Sequence, residues 1–144
     1  MGDLLTTDAI RLDQRAVDRD DAIRQCGQTL VEIGAVAPAY VEAMLEREQS
    51  VSTYVGEGVA IPHATQAGKA AVRRDALAVL RFPDGVDWGG ERVEVCVAIA
   101  AVGDGHVEIL GQLATVLMDP ERARRLREAS RAEDVLSLLA PVGT

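Results

Sequence analysis

Two histidines are the residues best placed to do chemistry in this 144-residue chain. His63 follows a short apolar stretch, Val59-Ala60-Ile61, and then Pro62, and it precedes Ala64-Thr65. A side chain at the mouth of such an element is held by a rigid scaffold, and neutral imidazole is a nucleophile near neutral pH. His106 follows Gly103-Asp104-Gly105 and opens an apolar-periodic segment. A helix start offers unpaired backbone N–H groups and a positive dipole end, both of which attract anions. Each position also has a plainer reading: a surface histidine in a turn at 63, and an ordinary first-turn residue at 106. Together the two point towards a phosphate or carboxylate site.

Other reactive patterns are incomplete. Gly56-Glu57-Gly58 lacks the third glycine and the following helix of a dinucleotide-binding turn, and no P-loop occurs. Ser50 and Ser52 lack the elbow of an acyl hydrolase. No His-x-x-x-His or Glu-x-x-His spacing supports a metal site. Arg73-Arg74 and Arg122, Arg124, Arg125 and Arg127 read as solvated helix faces. Cys26 and Cys96 sit inside apolar segments without ligand spacing, which reads as two buried thiols and not a disulfide.

Composition narrows the partners. With 15 Lys+Arg against 23 Asp+Glu, the formal charge of −8 argues against a nucleic-acid binder, which needs a basic surface to displace counterions. At 48% apolar residues the chain can bury a core, and with only Tyr40, Tyr54, Phe82 and Trp88 as aromatics that core is aliphatic. The longest apolar run, Val95 to Val102, is far short of the roughly 20 residues that span a bilayer.

The elements that must position the histidines can be read from periodicity. Acids at 20 and 21 precede Ile23, Cys26, Leu30 and Ile33 on one helical face, with Gly34 as a stop. Pro38 introduces a second helix lined by Tyr40, Val41, Met44 and Leu45 and ending near Glu48. Residues 49–58 read as loop and Val59–Ile61 as a short strand. Two continuous apolar runs, 76–82 and 93–101, read as strands covered on both faces. Pro83-Asp84-Gly85 reads as a turn leading to a short 86–88 segment. Helices follow from His106, from Asp119-Pro120, and from Ser130, whose spacing to Glu133 fits a capping box. Helices at both ends around central strands imply an α/β fold with helices on both sides of one sheet.

One stretch carries a resemblance. Met44-Leu45-Glu46-Arg47-Glu48, then Ser52 to His63 with its Ala-Ile-Pro-His ending, the Phe82-Pro83-Asp84-Gly85-Val86 segment and the Gly105-His106 helix start resemble the enzyme IIA domain of the mannitol/fructose family of the bacterial phosphoenolpyruvate:sugar phosphotransferase system. The similarity runs from about Leu4 to Leu139, and Arg47, Tyr54 and Thr65 tilt it towards the mannitol branch. Ala64 stands where that family usually has glycine, a residue that permits positive φ or close backbone approach.

The resemblance implies one domain over 1–144 with a single mixed sheet flanked by helices. It implies that His63 accepts a phosphoryl group from phospho-HPr and passes it to a cysteine of enzyme IIB for uptake of mannitol or a related sugar. His106 is then the second site histidine and Arg47 the site arginine. No metal or other cofactor is expected beyond the covalent phosphohistidine, and the implied location is cytoplasmic. A nitrogen-type regulatory IIA protein, using the same His63 to control a partner, is the alternative.

Overall fold

The computed structural model describes residues 4–102 and 105–142, the side chains at 66, 67, 105 and 106 excepted. Its centre is a pair of long antiparallel strands, β4 (Ala76–Trp88) and β5 (Glu91–Ala100). Successive side chains of a strand point to opposite faces, so continuous apolarity here means two buried faces. Ala76, Ala78, Leu80 and Phe82 point to one layer, and Leu77 and Val79 to the other. The two strands meet at Gly89-Gly90, where φ values of 65° and 99° make the tight two-residue turn that glycine permits.

Three short strands complete the sheet. β1 (Ile10–Arg11) lies parallel to β4, β3 (Val59–Ala60) lies parallel to β5, and β2 (Tyr54–Gly56) lies antiparallel to β3. The order is β1-β4-β5-β3-β2, a single mixed five-stranded sheet, as the resemblance implied.

Helices cover both faces. On one side lie α1 (Arg19–Glu32) and α2 (Ala39–Ser50). Asp18 caps α1 by accepting from the Asp21 N–H at 2.8 Å, with Asp20 and Asp21 favoured by the dipole in the first turn. On the other side lie α3 (Gly105–Leu117), α4 (Pro120–Arg127) and α5 (Ala132–Leu139). Asp119 caps α4 through the Glu121 N–H at 3.0 Å, with Pro120 in the first turn.

The structure departs from the sequence reading in four places. The 49–58 stretch holds the end of α2 and all of β2, because the paired partner of β2 is the next strand and not a local signal. Pro83-Asp84-Gly85 is not a turn: β4 runs through it, and a register shift between Arg81 and Val86 absorbs the extra residues as a bulge. The capping box at Ser130 does not form, since α5 starts later, with Arg131 at its cap position and no side-chain cap bond. Arg73 and Arg74 precede β4 and lie off any helix, and Arg127 is half-buried, reaching back to the Glu57 carbonyl.

Candidate functional site

The segment that carries His63 is held by backbone bonds on both sides of the histidine. The Ile61 N–H donates to the Thr53 carbonyl at 3.0 Å, and the Pro62 carbonyl accepts from the Ile99 N–H at 2.9 Å. Pro62 has no N–H to satisfy. The Ala64 N–H donates to the Tyr40 hydroxyl at 3.3 Å, and that hydroxyl donates to the Ile99 carbonyl at 2.7 Å. Tyr40 therefore ties the residue after the histidine to β5.

The ring itself is oriented. His63 Nδ1 lies 2.8 Å from the Ile61 carbonyl oxygen, which can only accept, so Nδ1 carries the proton in that bond. In the neutral ring the lone pair then sits on Nε2. His63 is half-buried and lines a cavity of about 300 Å³ together with Tyr40, Arg47, Ala64, Thr65, Lys69, Val72 and Ala101.

Arg47 reaches this cavity from the last turn of α2. One of its guanidinium nitrogens donates to the Val51 carbonyl at 2.6 Å, which holds the fork beside the loop that leaves the helix. Lys69, in the 3-10 helix Gln66–Ala71, brings a second cation to the same wall. An acidic protein thus places two of its few positive charges around one imidazole.

Next to Arg47, Glu48 turns the other way. It is 3% exposed, yet its carboxylate is satisfied by the Thr53 N–H at 2.8 Å, the Thr53 hydroxyl and the Trp88 indole N–H at 2.9 Å. A buried carboxylate is tolerated when its acceptors are met in this way. The chain of bonds continues outward, because the Thr53 carbonyl receives the Ile61 N–H and the Ile61 carbonyl receives the His63 ring. Glu48, Thr53 and Ile61 connect Trp88 on β4 to the orientation of the imidazole.

The two cysteines are free and fully buried. Burial first, and then contact with Cys26, pushes the Cys96 thiol well above its usual range, so it stays protonated and unreactive. Among the described residues, no three His, Cys, Asp or Glu side chains gather as a metal would require, and no helix is long and apolar enough to cross a membrane.

Of the three residues singled out in the sequence, the structure brings His63 and Arg47 to one cavity. The side chain of His106 lies outside the described residues; its backbone belongs to the first turn of α3. Ala64 does not need glycine's freedom, because Glu57 is the one non-glycine with positive φ among the described residues. Space is the tighter constraint. A Cβ at Gly68 would lie 2.6 Å from the Ala43 methyl and 2.8 Å from the Ala64 methyl, so glycine is required there and not at 64. Sequence reasoning did not assign roles to Tyr40, Lys69 or Glu48. Glu48 carried a signal: it falls one helical turn after Met44, on the apolar stripe of α2.

This architecture matches a known family. Residues 3–141 fit the family model described as "Phosphoenolpyruvate-dependent sugar phosphotransferase system, EIIA 2". The chain belongs to that family. Its IIA relatives include the "Mannitol-specific phosphotransferase enzyme IIA component" of Staphylococcus aureus, 40% identical over 135 residues and covering 94% of each chain. Among solved structures, the IIA fold superposes on the Escherichia coli complex of enzyme IIAMTL and phosphorylated enzyme IIBMTL with a TM-score of 0.87, at 32% identity, covering 95% of this chain and 99% of that one. The nitrogen regulatory protein IIA-Ntr of Neisseria meningitidis superposes with a TM-score of 0.82 at 27% identity, covering 94% of this chain and 96% of that one.

Proposed function

We propose that this IIA protein is the phosphocarrier of a mannitol-type sugar uptake system, taking a phosphoryl group from phospho-HPr onto His63 Nε2 and passing it to the cysteine of an enzyme IIB domain. The observation that carries this reading is the bond from His63 Nδ1 to the Ile61 carbonyl, which presents the other ring nitrogen as the nucleophile beside Arg47 and Lys69. The Nε2 lone pair attacks phosphorus in line; the bond from phosphorus to HPr breaks, and its electron pair leaves with HPr. Charge spread over the phosphoryl oxygens during transfer is stabilised by fixed donors aimed at it. Arg47 offers a planar fork, Lys69 a point charge, and His106 a donor at the start of α3. Onward transfer reverses the same geometry, with the IIB thiolate as attacking group and the imidazole as leaving group.

No metal or nucleotide takes part at this step, since the donor is already a phosphorylated protein. The chain acts as one IIA unit over 1–144, in the cytoplasm, where its phosphorylated protein donor resides. The mannitol assignment rests on the 40% identical relative and on the superposition with the mannitol IIA–IIB complex. The nitrogen-type regulatory reading ranks below it, because that relative shares only 27% of residues.

The test is transfer in sequence: the purified protein is charged from phospho-HPr and then offered a panel of IIB domains. A mannitol-type IIB becomes phosphorylated on cysteine. Charging without transfer to any IIB domain would contradict the uptake role and favour the regulatory one.

A further inference from the structure

We infer that the Thr65 hydroxyl is a ligand of the phosphoryl group, without a partner in the uncharged protein and supplied with one when His63 carries PO₃. The inference rests on the phosphocarrier reading and extends it to a residue whose side chain makes no hydrogen bond in the resting fold.

Three observations converge on Thr65. Its Oγ1 is closed to solvent and makes no hydrogen bond to the protein. Buried hydroxyls are rarely left so, and an orphan is a standing cost to the fold. Its position makes the orphan more telling. Thr65 is the cap residue of the 3-10 helix Gln66–Ala71, where a threonine hydroxyl ordinarily accepts from a backbone N–H. Here no side-chain cap bond forms, and the Gly68 N–H goes to the Thr65 carbonyl at 3.0 Å instead. The hydroxyl has an available local partner type and does not use it.

Its place in the chain brings the residue to the site. Thr65 has extended backbone angles, φ −68° and ψ 168°, and lies two residues after His63. Both side chains line the cavity shared with Arg47 and Lys69. On charging, the hydroxyl turns about the Cα–Cβ bond to face that cavity. A phosphoryl oxygen is a strong charged acceptor, and a hydroxyl donating to it forms one of the stronger hydrogen bonds a protein can make. The cations supply charge; Thr65 supplies a donor two residues from the imidazole.

Thr65→Val keeps the shape and removes the donor, and Thr65→Ser restores it. Two quantities are read for each: the melting temperature of the uncharged protein, and the equilibrium constant for phosphoryl exchange with HPr, from intact masses at fixed protein ratios. The expected result for Thr65→Val is a melting temperature equal to or above that of the wild type, with an exchange constant lowered about tenfold, the scale of one hydrogen bond to a charged group. Thr65→Ser returns the exchange constant to near wild type. A Thr65→Val protein that charges to the wild-type equilibrium overturns the inference, whatever its melting temperature. A wild-type protein that takes no phosphoryl group from HPr would instead refute the phosphocarrier reading.

Discussion

The two faces of the central sheet are built on different principles. Towards α3, α4 and α5 the buried cluster is wholly aliphatic: Leu77, Val79, Val95, Val97 and Ile99 meet Leu113, Leu126 and Val135. Towards α1 and α2 the strands present Ala76, Ala78, Ala98 and Ala100, and among the described residues the buried polar side chains Thr29, Glu48 and Thr53 all belong to this side. Apolar contacts are non-directional and set only how tightly layers adhere. Hydrogen bonds have direction, and a ring that must present one particular nitrogen needs them. The bond from Ala64 to Tyr40, and the path from Glu48 through Thr53 to Ile61, lie on the face that orients His63.

Substitutions on the two faces should therefore separate stability from transfer. The largest stability effect is expected on the aliphatic side. Leu126→Ala empties a fully buried position and should cost about 2–5 kcal/mol by denaturant titration, while its folded fraction charges from phospho-HPr at the wild-type rate. Slowed charging per folded molecule would mean that the aliphatic face also positions the site.

A smaller stability loss but a clear loss of transfer is expected at Glu48→Leu. The change leaves the Thr53 and Trp88 N–H groups without their acceptor, at a cost of about 1–3 kcal/mol. The loosened Thr53–Ile61 link should shift the His63 tautomer balance, read by nitrogen NMR, and slow charging. An unchanged tautomer balance with unchanged charging would reduce Glu48 to a core residue.

The smallest effect belongs to Tyr40, and its stability part is confined to alkaline pH. Burial, opposed by the hydrogen bond from the Ala64 N–H, pushes its hydroxyl from 10.0 up to about 12. The folded protein thus keeps this proton where the unfolded chain has lost it. The associated stability is complete below pH 10 and disappears as pH rises towards 12. Tyr40→Phe should flatten that part of the pH profile and, by freeing the Ala64 N–H, slow charging modestly at neutral pH. An unaltered alkaline profile would contradict the assignment.

Much of this site was visible in the sequence. His63 stood out by residue type and by its place after an apolar stretch and a proline, and the α/β class followed from runs of apolar residues between helical periodicities. Arg47 emerged through the family motif, since nothing local separates a site arginine from a solvated one. What stayed hidden depends on distant pairing. Tyr40 reads as a core residue on its helix, and only the fold brings its hydroxyl to Ile99 and Ala64. Glu48 finds Trp88 forty positions away across two strands. Pro83-Asp84-Gly85 has the local chemistry of a turn, and only the pairing of β4 with β5 makes it a bulge.

The account stands most directly on a single comparison of intact masses, wild type against His63→Ala, after incubation with phosphoenolpyruvate, enzyme I and HPr. The wild type should gain the mass of one phosphoryl group, labile in acid as a phosphohistidine is, and His63→Ala should gain none. A phosphoryl mass retained in His63→Ala, in a protein that still melts cooperatively, would contradict the assignment of the acceptor.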